Sequence, residues 1–156
     1  MWLAIFLIAV IAAGRAMYLA MDREDLVLDA TVWNRQDGDI VRLSDGITHY
    51  RWDGSPTGQV VVLLHGGTIP SWEWDPVVPY LAGAGLRVLR YDMFGRGFSD
   101  RPTVTYNRDL FCSQLLELLV RLGVVQPVDL VGTSFGGMLT DFLCAQSQLA
   151  PALKTQ

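Results

Sequence analysis

The tightest constraint on this chain is Gly132-Thr133-Ser134-Phe135-Gly136, a G-x-S-x-G pentapeptide that follows the apolar run Val128-Asp129-Leu130-Val131. A serine that leaves a strand on so tight a turn needs a strained backbone, and side chains two residues to either side would collide with it. Glycine at 132 and at 136 removes both collisions. The segment therefore reads as strand, turn and helix, with the first free N–H groups of the helix directed at whatever the serine attacks. A plain Gly-Ser turn fits the same five residues, so the surrounding pattern has to decide between the two.

That pattern repeats upstream. Gln59-Val60-Val61-Val62-Leu63-Leu64 is a continuous apolar run, as expected of a strand buried on both faces, and it ends in His65-Gly66-Gly67-Thr68. A glycine-rich loop there lets backbone approach a ligand. A third strand, over 86–91, is closed by Asp92-Met93-Phe94-Gly95-Arg96-Gly97-Phe98-Ser99-Asp100, where the glycine spacing predicts a structural turn held by the charges of Asp92, Arg96 and Asp100. Two short strands over 40–43 and 47–52 form a hairpin around Ser44-Asp45-Gly46, and residues 53–58 are a loop between strands. Helices are expected over 76–84 and 108–122, the second with Asn107 as its N-cap and Gly123 as its stop. Leu110, Leu115, Leu118, Leu119 and Leu122 recur at helical spacing and predict a helix packed on the sheet. The fold class is α/β.

The ordered set of H-G-G at 65–67, Asp-x-x-G-x-G-x-S-Asp at 92–100 and G-T-S-F-G at 132–136 resembles the α/β-hydrolase family, in particular its esterase, lipase and C–C-bond hydrolase members. The likeness covers roughly residues 40–148. It implies a mostly parallel sheet with flanking helices, and Ser134 as a nucleophile whose acyl-enzyme is resolved by water. It also implies an oxyanion hole from the backbone N–H groups of Gly67 and Phe135. His65 and Gly66 brace the oxyanion loop in that family, while Gly132 and Gly136 shape the elbow. The substrate class implied is a small acyl or lipid-like molecule, with no cofactor and no metal. Haloalkane dehalogenases and epoxide hydrolases of this fold carry Asp at the elbow, so Ser134 sets the chain apart from both.

A serine hydroxyl needs a histidine to take its proton and a carboxylate to hold that histidine, and in this fold the order is Ser, then Asp or Glu, then His. After Ser134 the sequence offers Asp141 and no histidine. Asp141 falls two turns along the elbow helix, as a surface charge. His65 belongs to the loop motif, and His49, alternating with Ile47 and Arg51, is expected as an exposed cross-strand residue. Three readings stay open: a serine hydrolase of carboxylic esters or related acyl bonds whose acid and base lie outside these residues, a non-catalytic truncated or membrane-tethered fragment or binding module, and acyl transfer or peroxide-linked chemistry on the same elbow. The elements found make up the first half of the family's sheet, which would leave 128–131 as an open apolar edge and predicts that the sequence is a piece of a longer one.

Residues 1–21 carry one charge, Arg15, and the stretch 2–14 carries none. They are expected to lie outside the hydrolase fold as a membrane anchor, a signal peptide or the product of a miscalled start, with 22–39 a connecting segment and 40–156 a partial hydrolase domain. Localisation follows: membrane-anchored or secretory for the first two, cytoplasmic for the third. The net charge of −4 leaves no basic footprint for nucleic acid. Cys112 and Cys144 fall in helical stretches without metal-ligand spacing and read as small buried hydrophobes. Trp72 and Trp74, after the glycine loop, are placed to line an acyl pocket or to pack at a helix entry, and packing is the expected role.

Overall fold

In the computed structural model, which describes residues 2–21 and 28–145, the apolar run after Gln59 becomes the centre of a five-stranded sheet. Strand β1 (Asp39–Arg42) pairs antiparallel with β2 (Ile47–Gly54), and the turn between them closes through Leu43 N–H donating to the Gly46 carbonyl at 2.8 Å. Next come β3 (Val60–Leu64), β4 (Arg87–Tyr91) and β5 (Asp129–Gly132), parallel to one another, in the order β1-β2-β4-β3-β5. Every residue of β3 is buried. Val60, Val62 and Leu64 face one core and Val61 and Leu63 the other, which explains why this strand shows no polar alternation.

The larger core lies under α4 (Arg108–Arg121) and α5 (Phe135–Ala145), where Leu115, Leu118, Leu119, Leu139 and Leu143 meet the sheet. Helix α4 starts as its sequence predicts: Asn107 Oδ1 accepts the Leu110 N–H at 2.9 Å, and Gly123 ends it at φ +67°. The smaller core gathers Val78, Val88, Trp74 and Leu81 beneath α3 (Val78–Gly83), which is shorter than the expected 76–84. Cys112 is buried in α4, and Cys144 is half-buried in α5; burial raises both thiols above their ordinary range. Asp141 is exposed on α5, as expected.

Outside the sheet, α1 (Trp2–Met21) is exposed along its described length, and its span Trp2–Ala20 is long and apolar enough, by length and composition, to cross a membrane. Of the expected connecting segment 22–39, residues 22–27 lie outside the described ones. The one-turn α2 (Ala30–Trp33) docks on the fold through Trp33 Nε1, which donates to the Phe98 carbonyl at 3.0 Å. The tail at 146–156 is also outside the described residues.

Two sequence expectations need correction. His49 is not an exposed cross-strand residue but only 5% exposed, because β1 covers one side of β2 and the Phe98 ring packs edge-on against the imidazole at 5.4 Å. Trp74 packs as expected, whereas Trp72, on the outer side of the 3-10 turn Ser71–Trp74, is 58% exposed.

Candidate active site

The site begins where β5 ends. Ser134 has φ +50°, the single non-glycine residue at positive φ among the described residues, which costs on the order of 1 kcal/mol or more. The flanking glycines are required by contacts more specific than the sequence suggests. A Cβ on Gly132 would stand 2.4 Å from the Gly136 carbonyl, and one on Gly136 would stand 2.2 Å from the Leu64 oxygen. The start of α5 thus presses on the end of β3, and Thr133 N–H extends the contact by donating to the Leu64 carbonyl at 3.1 Å. Phe135 opens α5, so its N–H has no partner within the helix.

This approach sets the glycine loop after β3 beside the elbow. Cβ positions built on Gly66 and Gly67 would lie 3.7 Å from the Ser134 Cβ and 3.7 Å from the Phe135 Cβ, so the two pairs of residues face each other in step. Larger side chains at 66 and 67 would fill the space over the serine. Three of the four backbone groups of Gly66 and Gly67 are already committed: Gly66 N–H to Glu73 Oε2 at 2.8 Å, the Gly66 carbonyl to His65 Nδ1 at 2.5 Å, and the Gly67 carbonyl to Arg96 Nε at 2.7 Å. Only the Gly67 N–H has no partner among the described residues.

His65 sets the direction of that free donor. Met93 N–H donates to Nε2 at 2.9 Å, which assigns the ring proton to Nδ1, facing the Gly66 carbonyl. In a trans peptide the N–H points away from its C=O, so drawing the Gly66 oxygen toward the ring turns the Gly67 N–H outward. Burial holds this fully enclosed imidazole below its ordinary 6.5, against the opposing pull of the Gly66 carbonyl, Asp92 and Glu73. The ring of His65 is thus held between the Met93 N–H and the Gly66 carbonyl.

The 92–100 loop supports the glycine loop from behind. Asp92 accepts from Ser71 N–H at 2.8 Å and Phe98 N–H at 2.9 Å, and it lies 3.1 Å from His49 Nδ1. Burial alone would raise its carboxyl, but these hydrogen bonds outweigh burial and hold it below 3.8. The close Phe98 contact requires Gly97, where a Cβ would stand 2.2 Å from Asp92 Oδ2. Asp100 accepts the Ile47 N–H at 2.7 Å, and Arg96 reaches across to Gly67, so the charges hold the loops together as the glycine spacing predicts.

Sequence reasoning missed three participants. Gln114 spans from α4 to the Phe94 N–H, Thr48 Oγ1 and the Asp92 carbonyl; His49 binds Asp92 and the Asp37 carbonyl; Glu73 holds Gly66. Gln114 and His49 act across wide chain separations, and Glu73, nearer to its partner, belongs to no motif. A cavity of about 210 Å³ lies between His49, Arg51, Ser71, Trp72, Asp92 and Phe98, and neither Ser134 nor Gly67 lines it. Among the described residues no group of three His, Cys, Asp or Glu is placed to share a metal ion.

A family model described as the alpha/beta hydrolase family matches residues 61–152. The chain belongs to the alpha/beta hydrolase family. Among curated relatives, this alpha/beta hydrolase is similar to a putative non-heme chloroperoxidase of Synechocystis sp., 39% identical over 87 residues that cover 55% of this chain and 31% of the relative. It is likewise 39% identical over 87 residues to a 2-hydroxymuconate semialdehyde hydrolase of Pseudomonas sp., covering 53% of this chain and 30% of that one. A crystal structure of a hydrolase from Pseudomonas aeruginosa superimposes with a TM-score of 0.70 and 28% identity, over 78% of this alpha/beta hydrolase and 44% of its neighbour. The chain spans about a third of the length of the curated relatives it matches.

Proposed function

We propose that this chain carries the nucleophile and oxyanion hole of a serine hydrolase acting on a carboxylic ester or related acyl bond of a small or lipid-like molecule. The observation that carries this reading is the pairing of a strained Ser134 with the Gly67 N–H, the one backbone group of the Gly66–Gly67 loop left uncommitted among the described residues, one residue along from the contact between Gly66 and the serine. Ser134 Oγ attacks the carbonyl carbon and loses its proton to a base, and the Gly67 and Phe135 N–H groups hold the oxyanion. Collapse expels the alcohol, which takes that proton, and water then releases the acyl group by the same path in reverse. The base is neither of the chain's histidines, since His65 and His49 are both engaged in holding loops. This reading places the base and its carboxylate outside residues 1–156, in line with the greater length of the relatives.

The engagement of both imidazoles also favours a second reading, a non-catalytic module that keeps the pocket without the proton relay. Labelling with a fluorophosphonate separates the two. In a polypeptide long enough to include the residues that supply the base, covalent modification that disappears in Ser134→Ala supports the enzyme, and a folded but unlabelled protein supports the module. In either reading α1 tethers the protein to a membrane, so the full chain is expected to stay with membranes after carbonate extraction and to leave them once residues 2–21 are deleted. Release of the full chain by carbonate would count against the tether.

A further inference from the structure

Three side chains fix the peptides of Gly66 and Gly67, and two of them, His65 and Arg96, belong to motifs evident in the sequence. Glu73 belongs to none. It sits in the 3-10 turn Ser71–Trp74, whose ends are themselves secured: Ser71 N–H donates to Asp92 Oδ1 at 2.8 Å, and Asp75 pairs with the buried Arg90. From this fixed platform Oε2 accepts the Gly66 N–H at 2.8 Å. A Cβ built on Gly66 would lie 3.6 Å from that oxygen and 3.7 Å from the Ser134 Cβ, so the carboxylate and the serine flank the same residue.

We propose that Glu73 is a positioning residue for the oxyanion loop, an inference that rests on the Ser134 hydrolase reading. Glycine leaves φ and ψ of residue 66 almost unrestricted, and the direction of the Gly67 N–H depends on both. His65 fixes the peptide after Gly66 and Glu73 fixes the peptide before it, so together they remove the freedom that glycine introduces. The bond to a carboxylate is also about twice as strong as one between neutral groups. What the loop needs from position 73 is an acceptor at the place of Oε2.

The test is made in the longer polypeptide that the hydrolase reading requires, with its base present, and compares the parent with Glu73→Gln, which keeps an acceptor there, and Glu73→Ala, which does not. Two quantities are read: the rate of fluorophosphonate labelling at Ser134, and the exchange rate of the Gly66 amide by NMR. In Glu73→Ala the labelling rate is expected to fall about 10- to 100-fold, the scale set by misplacing or losing one oxyanion donor, with Gly66 exchange accelerated at least about tenfold. Glu73→Gln is expected to stay within about threefold of the parent on both, since it retains the hydrogen bond. Labelling of Glu73→Ala at the parent rate would overturn the proposal, as would a loss in Glu73→Gln as deep as that in Glu73→Ala. Should Glu73→Ala fail to fold, Glu73→Asp, which withdraws the acceptor by one methylene, takes its place with the same expected losses. A parent that is never labelled would sink the hydrolase reading alone; Gly66 exchange then decides for Glu73, with unchanged exchange in the variant overturning the role.

Discussion

A methyl group on Gly136 would meet the Leu64 oxygen at 2.2 Å and the His65 oxygen at 2.6 Å, and both atoms are backbone at the end of the central strand. Neither can retreat without breaking the contact that sets the elbow beside the glycine loop. Gly136→Ala is therefore expected to destabilise the fold by about 3 kcal/mol, measured by urea denaturation. Gly83, at the end of α3, has nothing within 4 Å of its Cβ position, so Gly83→Ala should be neutral or stabilising by about 0.5 kcal/mol. A Gly136→Ala protein as stable as its parent would mean that β3 and α5 do not meet as described. Two buried titratable groups give the fold a pH dependence of one sign. His65 is held below its ordinary 6.5 and Asp92 below 3.8, so in each case the unfolded chain binds a proton that the folded chain refuses. Stability contributed by His65 is complete above about 6.5 and falls as pH drops through that value toward the folded one; the Asp92 contribution falls in turn below 3.8. A urea midpoint that declines between pH 7.5 and 5 in the parent, and stays level there in His65→Gln, is the expected result. A protonated His65 would also set an Nε2–H against the Met93 N–H, so the loop loses its brace over the same interval.

At the level of elements, what could be read from the sequence was what depends on local geometry. The cap and stop of α4, the Asp-Gly turn of the hairpin, the doubly buried β3 and the strand-turn-helix at 128–136 each leave a signature within a few residues, and all stand where expected to within a residue or two. β5 runs from Asp129, one residue into its apolar run. β2 runs two residues beyond its expected end because β4 pairs with it as far as Gly54 opposite Arg87. The misreadings share a cause, which is a neighbour distant in sequence. Alternation in β2 predicts His49 outward, but Ile47, Thr48 and His49 are all buried, since the 92–100 loop and β1 close over that end of the strand. Glu73 is a different case: its partner Gly66 is near in sequence, and only the 3-10 turn brings the carboxylate over it. Of the site itself, Ser134, Gly67, Phe135 and His65 announce themselves through motifs. The hydrogen bonds that aim the Gly67 N–H do not, because Glu73, Met93 and Arg96 meet the His65–Gly67 loop only once the chain has folded.

The whole molecule presents one more surface that its own described residues leave uncovered. β5 is the last strand of the sheet; its inner side pairs with β3, and no strand pairs with its outer side among the described residues. Val131 is 42% exposed on this strand, Met138 is 54% exposed on the helix that follows, and neither carries a charge that would discourage another chain. An apolar edge with free N–H and C=O groups recruits a further strand, whether from a longer version of the same polypeptide or from a second copy. The 156-residue chain on its own is therefore expected to self-associate, even in detergent that satisfies the apolar α1. Val131→Lys places a charge on that edge without touching the core and should shift the protein toward monomer in detergent-solubilised light scattering. α1 offers the competing cause of association, and the two are separable: deleting residues 2–21 removes association driven by α1 and leaves that driven by β5. A deletion product that is monomeric while still carrying Val131 would show that the β5 edge does not recruit another chain.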